Sequence, residues 1–289
     1  MRQITIAVTQ MACGWDRAEN LAQAEALVRR AASEGANVVV LQELFETPYF
    51  CPDMKRDYFE LARSYDGNTT IAQMSALAGA LGVVLPVSFF ERDGDAYYNS
   101  LAMIDADGTV LGRYRKSHIP EGPGYEEKFY FRPGDTGFKV WPTRFGTLGA
   151  AICWDQWFPE CARAMVLAGA EALLYPSAIG NEPQDAALDS RRHWQRVMQG
   201  HAAANMVPVA ASNRVGVEDH ESATMTFYGS SFVAGPTGEI VVEAPCDDAG
   251  VMIAKFDLDA AAAARRSWGL FRDRRPDLYG ALTAPAKKD

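Results

Sequence analysis

No apolar run in the 289-residue sequence approaches the ~20 residues that a transmembrane helix needs, so no membrane-spanning helix is expected. The first ten residues, MRQITIAVTQ, alternate apolar and polar side chains and read as a strand, not as a signal peptide. The five cysteines include no CxxC spacing, which excludes a disulfide framework or a zinc site of the usual kind. His118, His193, His201 and His220 form neither HExxH nor any paired-ligand pattern. The expectation is therefore a reduced, cytoplasmic chain with no metal and no cofactor. Basic charge is also short: the net charge is −9, which argues against a nucleic-acid surface and mildly favours small cationic ligands. Finally, no Gly/Ser/Pro-rich linker interrupts the chain, so residues 1–289 are expected to form one domain. Its tail from Trp268, with Arg272, Arg274, Arg275 and Tyr279, needs a surface to lie on. A partner subunit in a homo-oligomer (a dimer or an assembly of dimers) would provide one.

What is present is the composition of a soluble globular protein, 48% hydrophobic and 22% charged, with an order of strands and helices legible in its periodicity. Ile4, Ile6 and Val8 mark a strand, and Asp16 is placed to cap a helix carrying Leu21, Ala24, Leu27, Val28 and Ala31 on one face. The run from Asn37 to Leu41 reads as a strand covered on both sides and ends in Gln42-Glu43. A helix over 69–81 and a strand over 83–89 follow. Asp107-Gly108 then turns a hairpin whose returning strand, 109–115, delivers Lys116-Ser117-His118. The loop 120–135 carries Tyr125, Phe129, Tyr130 and Phe131, an aromatic content that predicts an ordered loop. After a strand ending at Ile152 come Cys153, a helix opened by Pro159, and a strand from Ala172 to Tyr175. A polar loop, a helix over 185–205, a strand over 207–212, a hairpin over 230–243, a strand over 250–256 and a short helix over 257–266 complete the series. The two halves repeat coarsely, which predicts sheets face to face with helices outside.

Three chemically loaded side chains thus fall at strand ends: Glu43, Lys116 and Cys153. A lone cysteine is as often a small core residue as a nucleophile. A free thiol has a pKa of about 8.5 and needs a base or a positive neighbour to react at neutral pH. Glu43 could take its proton, and Lys116 could stabilise the anion developing on an attacked carbonyl oxygen, with the Trp154 backbone N–H as a second donor. His118 is the best candidate for the alternative Cys–His pairing.

Glu43 in VVVLQELF, Lys116 in GRYRKSH and Cys153 in GAAICWDQWFPE together resemble the Glu–Lys–Cys constellation of the nitrilase (carbon–nitrogen hydrolase) superfamily. That resemblance implies an α/β fold, a four-layer α-β-β-α sandwich, with no cofactor and a thioester intermediate. It also implies a second glutamate near the lysine, for which Glu127 is the candidate and Glu126 its neighbouring competitor. SHIPEGPGYEEKFYFRPGDTGFKVW and YPSAIGNEPQD resemble the branch that acts on N-carbamoylputrescine, a small cationic ureide. The distal ammonium of such a substrate requires a carboxylate. Glu182 is the candidate, a role the branch motif also implies, and Asp185 is second, although Asp185 could simply cap the next helix. Trp154 and Tyr125 could line the methylene chain. A carbamoyl-amino-acid amidohydrolase of the β-ureidopropionase or D-carbamoylase type would instead present an arginine, and Arg191, Arg192 and Arg214 keep that alternative open. An ω-amidase or nitrilase, and a catalytically silent binding or assembly subunit, complete the set.

Overall fold

The apolar runs fold into two six-stranded sheets, the first built from the five strands of the first half with β14 added from the end of the chain. The computed structural model describes residues 1–284; residues 285–289 of the expected 268–289 extension lie outside the described residues. The first half contains β1 (Gln3–Gln10), α1 (Arg17–Ser33), β2 (Val38–Val40), α2 (Thr69–Leu81), β3 (Leu85–Asp93), β4 (Ala96–Ile104) and β5 (Val110–Arg115). The second begins with β6 (Val140–Thr143), β7 (Gly146–Ala150), α3 (Pro159–Leu167), β8 (Ala172–Pro176) and α4 (Arg191–Asn205). It continues through β9 (Val209–Ser212), β10 (Val215–Asp219), β11 (Thr224–Tyr228), β12 (Phe232–Ala234), β13 (Ile240–Glu243), β14 (Gly250–Asp257) and α5 (Leu258–Trp268).

The strand order β14-β1-β2 continues into β3-β4-β5 through a parallel bridge between Val38 and Val84, and the second sheet runs β13-β12-β9-β8-β7-β6. Both sheets place parallel strands centrally, β1 with β2 and β7 with β8 and β9, and antiparallel pairs outside. The two-residue period of β1 explains the layering. Ile4, Ile6 and Val8 share a core with Leu148, Ala150, Val209 and Ala211 of the second sheet, while Ala7 faces Leu21, Ala24 and Val28 of α1. Met165, Trp194 and Met198 of α3 and α4 cover the second sheet. The result is the expected four-layer α-β-β-α sandwich.

Local signals fix the element ends. The Asp16 carboxylate accepts from the N–H groups of Ala18 and Glu19 at 2.9 and 3.1 Å, capping α1. Gly108 turns the β4–β5 hairpin at φ +86°. The aromatic loop is ordered, as its composition predicted: Tyr130 and Phe131 join Phe50 and Phe90 in a third core cluster.

Two features differ from the sequence reading. Helix α4 begins at Arg191, not at 185, because Asp185 caps a separate turn by accepting from Ala187 N–H at 3.0 Å. The β10–β11 hairpin carries no strong sequence signal, since its strands mix Thr, Glu and Asp with apolar residues. Beyond α5 the tail folds back towards α3 and α4, where Leu270, Arg274 and Tyr279 face Arg163, Leu167 and Asn205 across a cavity of about 840 Å³. Trp268, Leu278 and Leu282 remain exposed.

Gly149 of β7 lies beneath α3, where an added Cβ would stand 2.9 Å from Leu173 Cδ2 and 3.0 Å from Met165 Sδ. Gly149→Val should therefore cost about 1–3 kcal/mol, read as a lower urea midpoint at unchanged slope. An unchanged midpoint would mean that α3 moves aside freely.

Candidate active site

Strand β7 ends at Ala150, and Cys153 opens a 3₁₀ turn, Cys153–Trp157, with φ +42°. A side chain with a Cβ adopts that region only at a cost of about 1–2 kcal/mol, so neighbours must hold it there. Asp155 supplies the restraint. Its Oδ2 accepts from Ile152 N–H at 3.1 Å and from Tyr114 O–H at 2.7 Å, and its Oδ1 accepts from His118 N–H at 2.9 Å. His118 Nδ1 lies 2.7 Å from the same Oδ1, and its ring stacks on Phe158 at 3.6 Å. His118 thus serves the turn and does not pair with the sulfur. Gln156 Nε2 stands 4.0 Å from Cys153 Sγ, while its Oε1 accepts from Ser177 O–H at 2.9 Å.

Lys116 follows β5, where its N–H donates to Asn99 O at 2.8 Å, the last rung holding it to β4. Its ammonium donates to Glu43 Oε1 at 2.8 Å and to Glu127 Oε1 and Oε2 at 2.8 and 2.7 Å. All three side chains are withdrawn from water, at 0%, 0% and 1% exposure. Of the two neighbouring glutamates, Glu127 bonds the ammonium and Glu126 makes none of these bonds. Asn99 Nδ2 donates to Glu43 Oε1 at 2.6 Å, and Tyr49 O–H donates to Glu127 Oε1 at 2.6 Å. Glu43 Oε2 is buried without a partner among the described residues, which leaves one carboxylate oxygen free to accept a proton.

A cavity of about 460 Å³ opens onto this cluster, with Cys153, Glu127, Tyr125, Trp154, Trp157 and Glu182 in its wall. Tyr125 joins the two loops that form the cavity: its hydroxyl accepts from Gly180 N–H at 2.9 Å and donates to Asn181 O at 3.2 Å. With Glu127, the side chains of Glu121, Glu182 and Asp189 put four carboxyl groups in the lining, and His193 is its one basic side chain among the described residues. Glu121 pairs with Lys128 at 2.9 Å and Asp189 lies 3.6 Å from Arg191, whereas Glu182 has neither a hydrogen bond nor an ion pair among the described side chains. Asp185 does not line the cavity, because its turn directs it to Ala187. None of the three arginines lines it either. Arg191 is taken by Cys246 and Asp189, Arg192 by Glu243, and Arg214 is fully buried against backbone carbonyls and Glu218.

The carbon-nitrogen hydrolase family model matches residues 5–266. The chain belongs to the carbon–nitrogen hydrolase family. It is 61% identical to an N-carbamoylputrescine amidase of Arabidopsis thaliana over 97% of this chain and 95% of that one. It is 52% identical to a citrullinase of Francisella tularensis over 96% and 98% of the two chains. Its fold matches the crystal structure of a carbon-nitrogen hydrolase from Helicobacter pylori G27 with a TM-score of 0.91 at 40% identity, covering 99% of this chain and 100% of that one.

The charges in this carbon–nitrogen hydrolase site hold one another in place. Burial alone would pull the Lys116 ammonium down, but Glu127 and Glu43 keep it well above the ordinary lysine value. Burial pushes the Cys153 thiol well up, and Glu43 adds to this while Lys116 opposes it. Burial and Glu43 both favour the thiol over the thiolate, so attack by this sulfur would call for a base. Burial raises the Glu127 carboxyl to about 7, with Lys116 lowering it and Glu43 raising it further. Sequence reasoning had no signal for Tyr49, and Asn99 was visible only as an amide in an otherwise aromatic and apolar strand.

An unfolded glutamate releases its proton near 4.5 and folded Glu127 near 7. The proton-linked stability it contributes is therefore complete below about 4.5 and is lost as pH rises through about 7. In thermal melts, Glu127→Gln should gain on the wild type as pH is raised across that interval. A difference independent of pH would mean that Glu127 is ionised throughout.

Proposed function

We propose that this carbon–nitrogen hydrolase converts N-carbamoylputrescine to putrescine, ammonia and carbon dioxide through a thioester on Cys153. One observation carries the choice of substrate: Glu182, a carboxylate without a partner among the described residues, lines the same cavity as Cys153. A buried ammonium at the far end of a ureide requires such a group. The identity to the Arabidopsis thaliana amidase supports the same reading.

The chemistry follows from the cluster. Glu43 takes the Cys153 proton on its free oxygen as sulfur bonds to the ureido carbon. Negative charge passes to the carbonyl oxygen, where the Lys116 ammonium and the Trp154 N–H stabilise it. Glu43 returns the proton to the departing nitrogen, the carbon–nitrogen bond breaks, and ammonia leaves. Water then attacks the thioester carbon with Glu43 again as base, and sulfur departs as the thiol. The resulting carbamate loses carbon dioxide to give putrescine. Glu127, held by Tyr49 and Lys116, orients the ammonium and touches the cavity, while Trp154 and Tyr125 flank the methylene chain.

Citrulline and N-carbamoyl-β-alanine share the ureide but add a carboxylate. With no arginine lining the cavity, that carboxylate would meet Glu121, Glu182 and Asp189. Steady-state rates on the three ureides should favour N-carbamoylputrescine in kcat/KM. Glu182→Gln should raise its KM roughly 10- to 100-fold while sparing the neutral N-butylurea, as expected for loss of a charge-assisted contact. Faster turnover of either acid, or equal losses on both ureides in the variant, would overturn the assignment. Ammonia release that survives Cys153→Ala would place the nucleophile elsewhere.

Cytoplasmic location is supported by five unpaired cysteines, and no helix among the described residues is long and apolar enough to cross a membrane. A homo-oligomer, a dimer or an assembly of dimers, is supported by the exposed Trp268, Leu278 and Leu282 on the tail. Removing residues 268–289 should reduce the particle in sedimentation towards the mass of a single truncated chain, below the 31.6 kDa of the full chain. An unchanged assembly mass would contradict a tail-mediated interface.

A further inference from the structure

The chain between β2 and the next helical turn at Arg56 has no regular secondary structure, yet residues 41–53 are all buried. Buried carbonyls of such a segment need partners other than a ladder. One side chain from the other half of the molecule provides them. Arg214 lies between β9 and β10, and its guanidinium has no exposure to water. Nη2 donates to Glu43 O and to Leu44 O, both at 3.0 Å, and Nη1 donates to Thr47 O at 3.2 Å and to Glu218 Oε1 at 2.6 Å. Glu218 accepts from Tyr49 N–H at 2.6 Å on its other oxygen, Oε2, and Tyr49 O–H in turn donates to Glu127. Leu44 itself stands at φ +49°, a conformation that must be imposed on a leucine.

We propose that the buried Arg214–Glu218 pair is a positioning device for both carboxylates of the site, setting Glu43 from behind its backbone and Glu127 through Tyr49. Neither residue touches substrate. The proposal rests on the reading of Glu43 as the base. A planar fork with several donors can span three carbonyls and a carboxylate at once, which a lysine ammonium cannot. The pair also satisfies its own charges in a place where an unpaired one would be strongly destabilising. A core ion pair with only a structural role would not need to grip the carbonyl of the base itself and that of the strained residue following it.

The test compares Arg214→Lys and Glu218→Gln with Glu43→Gln, each at a temperature where circular dichroism shows a folded chain. Arg214→Lys should lower kcat about 10- to 100-fold with KM held within about threefold, the pattern of a displaced catalytic group and intact binding. Alkylation of Cys153 by iodoacetamide should slow in parallel, because the thiol then lacks its base. Glu218→Gln retains an acceptor for Tyr49 N–H and should show a smaller loss of the same kind; it carries the test should Arg214→Lys fail to fold. Wild-type kcat and alkylation in a folded variant, with only a lower melting temperature, would overturn the positioning role and leave the Glu43 assignment standing. Substantial activity in Glu43→Gln would overturn the base assignment and the proposal with it.

Discussion

An ammonium with no access to water sits between two carboxyl groups, and its charge is tolerable there only because they face it. Moving a charge from water into the core costs several kcal/mol, and the mutual attraction offsets this only if the geometry is good and further hydrogen bonds are made. Lys116 directs its donors to Glu43 and Glu127, while Asn99 and Tyr49 occupy one further position on each carboxylate. Two oxygens of the cluster remain without a partner among the described residues, Oε2 of Glu43 and Oδ1 of Asn99. Of the two, the carboxylate oxygen is the one basic enough to receive a proton.

Building the cluster requires both halves of the fold. Glu43 comes from the end of β2, Lys116 from the end of β5, Glu127 from the loop beyond it, and Cys153 from the end of β7 in the second sheet. Face-to-face packing of the sheets brings these ends together, and backbone bonds cross the join, as when Glu43 N–H donates to Ser177 O at 3.3 Å. Strain accumulates at the same place. Of the four non-glycine residues with positive φ among the described residues, Leu44 follows the proposed base and Cys153 is the proposed nucleophile. Each is restrained by a buried charged side chain, Leu44 by Arg214 from the other half of the molecule and Cys153 by Asp155 of its own turn. Such paired strain and restraint is expected where geometry is set for chemistry and not for minimum energy.

Much of this was legible in the residues. Asp16 and Asp107-Gly108 marked their cap and turn because a capping side chain and a glycine φ angle act locally. Glu43, Lys116 and Cys153 could be read as strand-end residues because charge or thiol directly after an apolar run has little reason to be there otherwise. The partners could not be read. Asp155, Arg214 and Tyr49 act through contacts 37 to 171 positions away in sequence, and nothing in a local pattern encodes such a contact. The same holds for the direction of the arginines. Arg214 was a candidate for a substrate carboxylate until its guanidinium was seen bonded to the carbonyls behind Glu43. Asp185 misled for a different reason, since a capping residue serves a short turn as well as a helix.

Selectivity then reduces to charge at a distance from the reacting carbon. The ureide carbonyl is common to many substrates, but a cavity lined by four carboxyl groups and one histidine accepts an amine at its far end more readily than an acid. If the amine arm stays anchored while the other nitrogen departs, the covalent intermediate must retain the whole diamine. Acid-quenched turnover of N-carbamoylputrescine, followed by peptide mass mapping, reads this directly. The account predicts an adduct on Cys153 with the mass of the substrate less ammonia. An adduct on another side chain, or a bare carbamoyl group on Cys153 with putrescine already released, would contradict it.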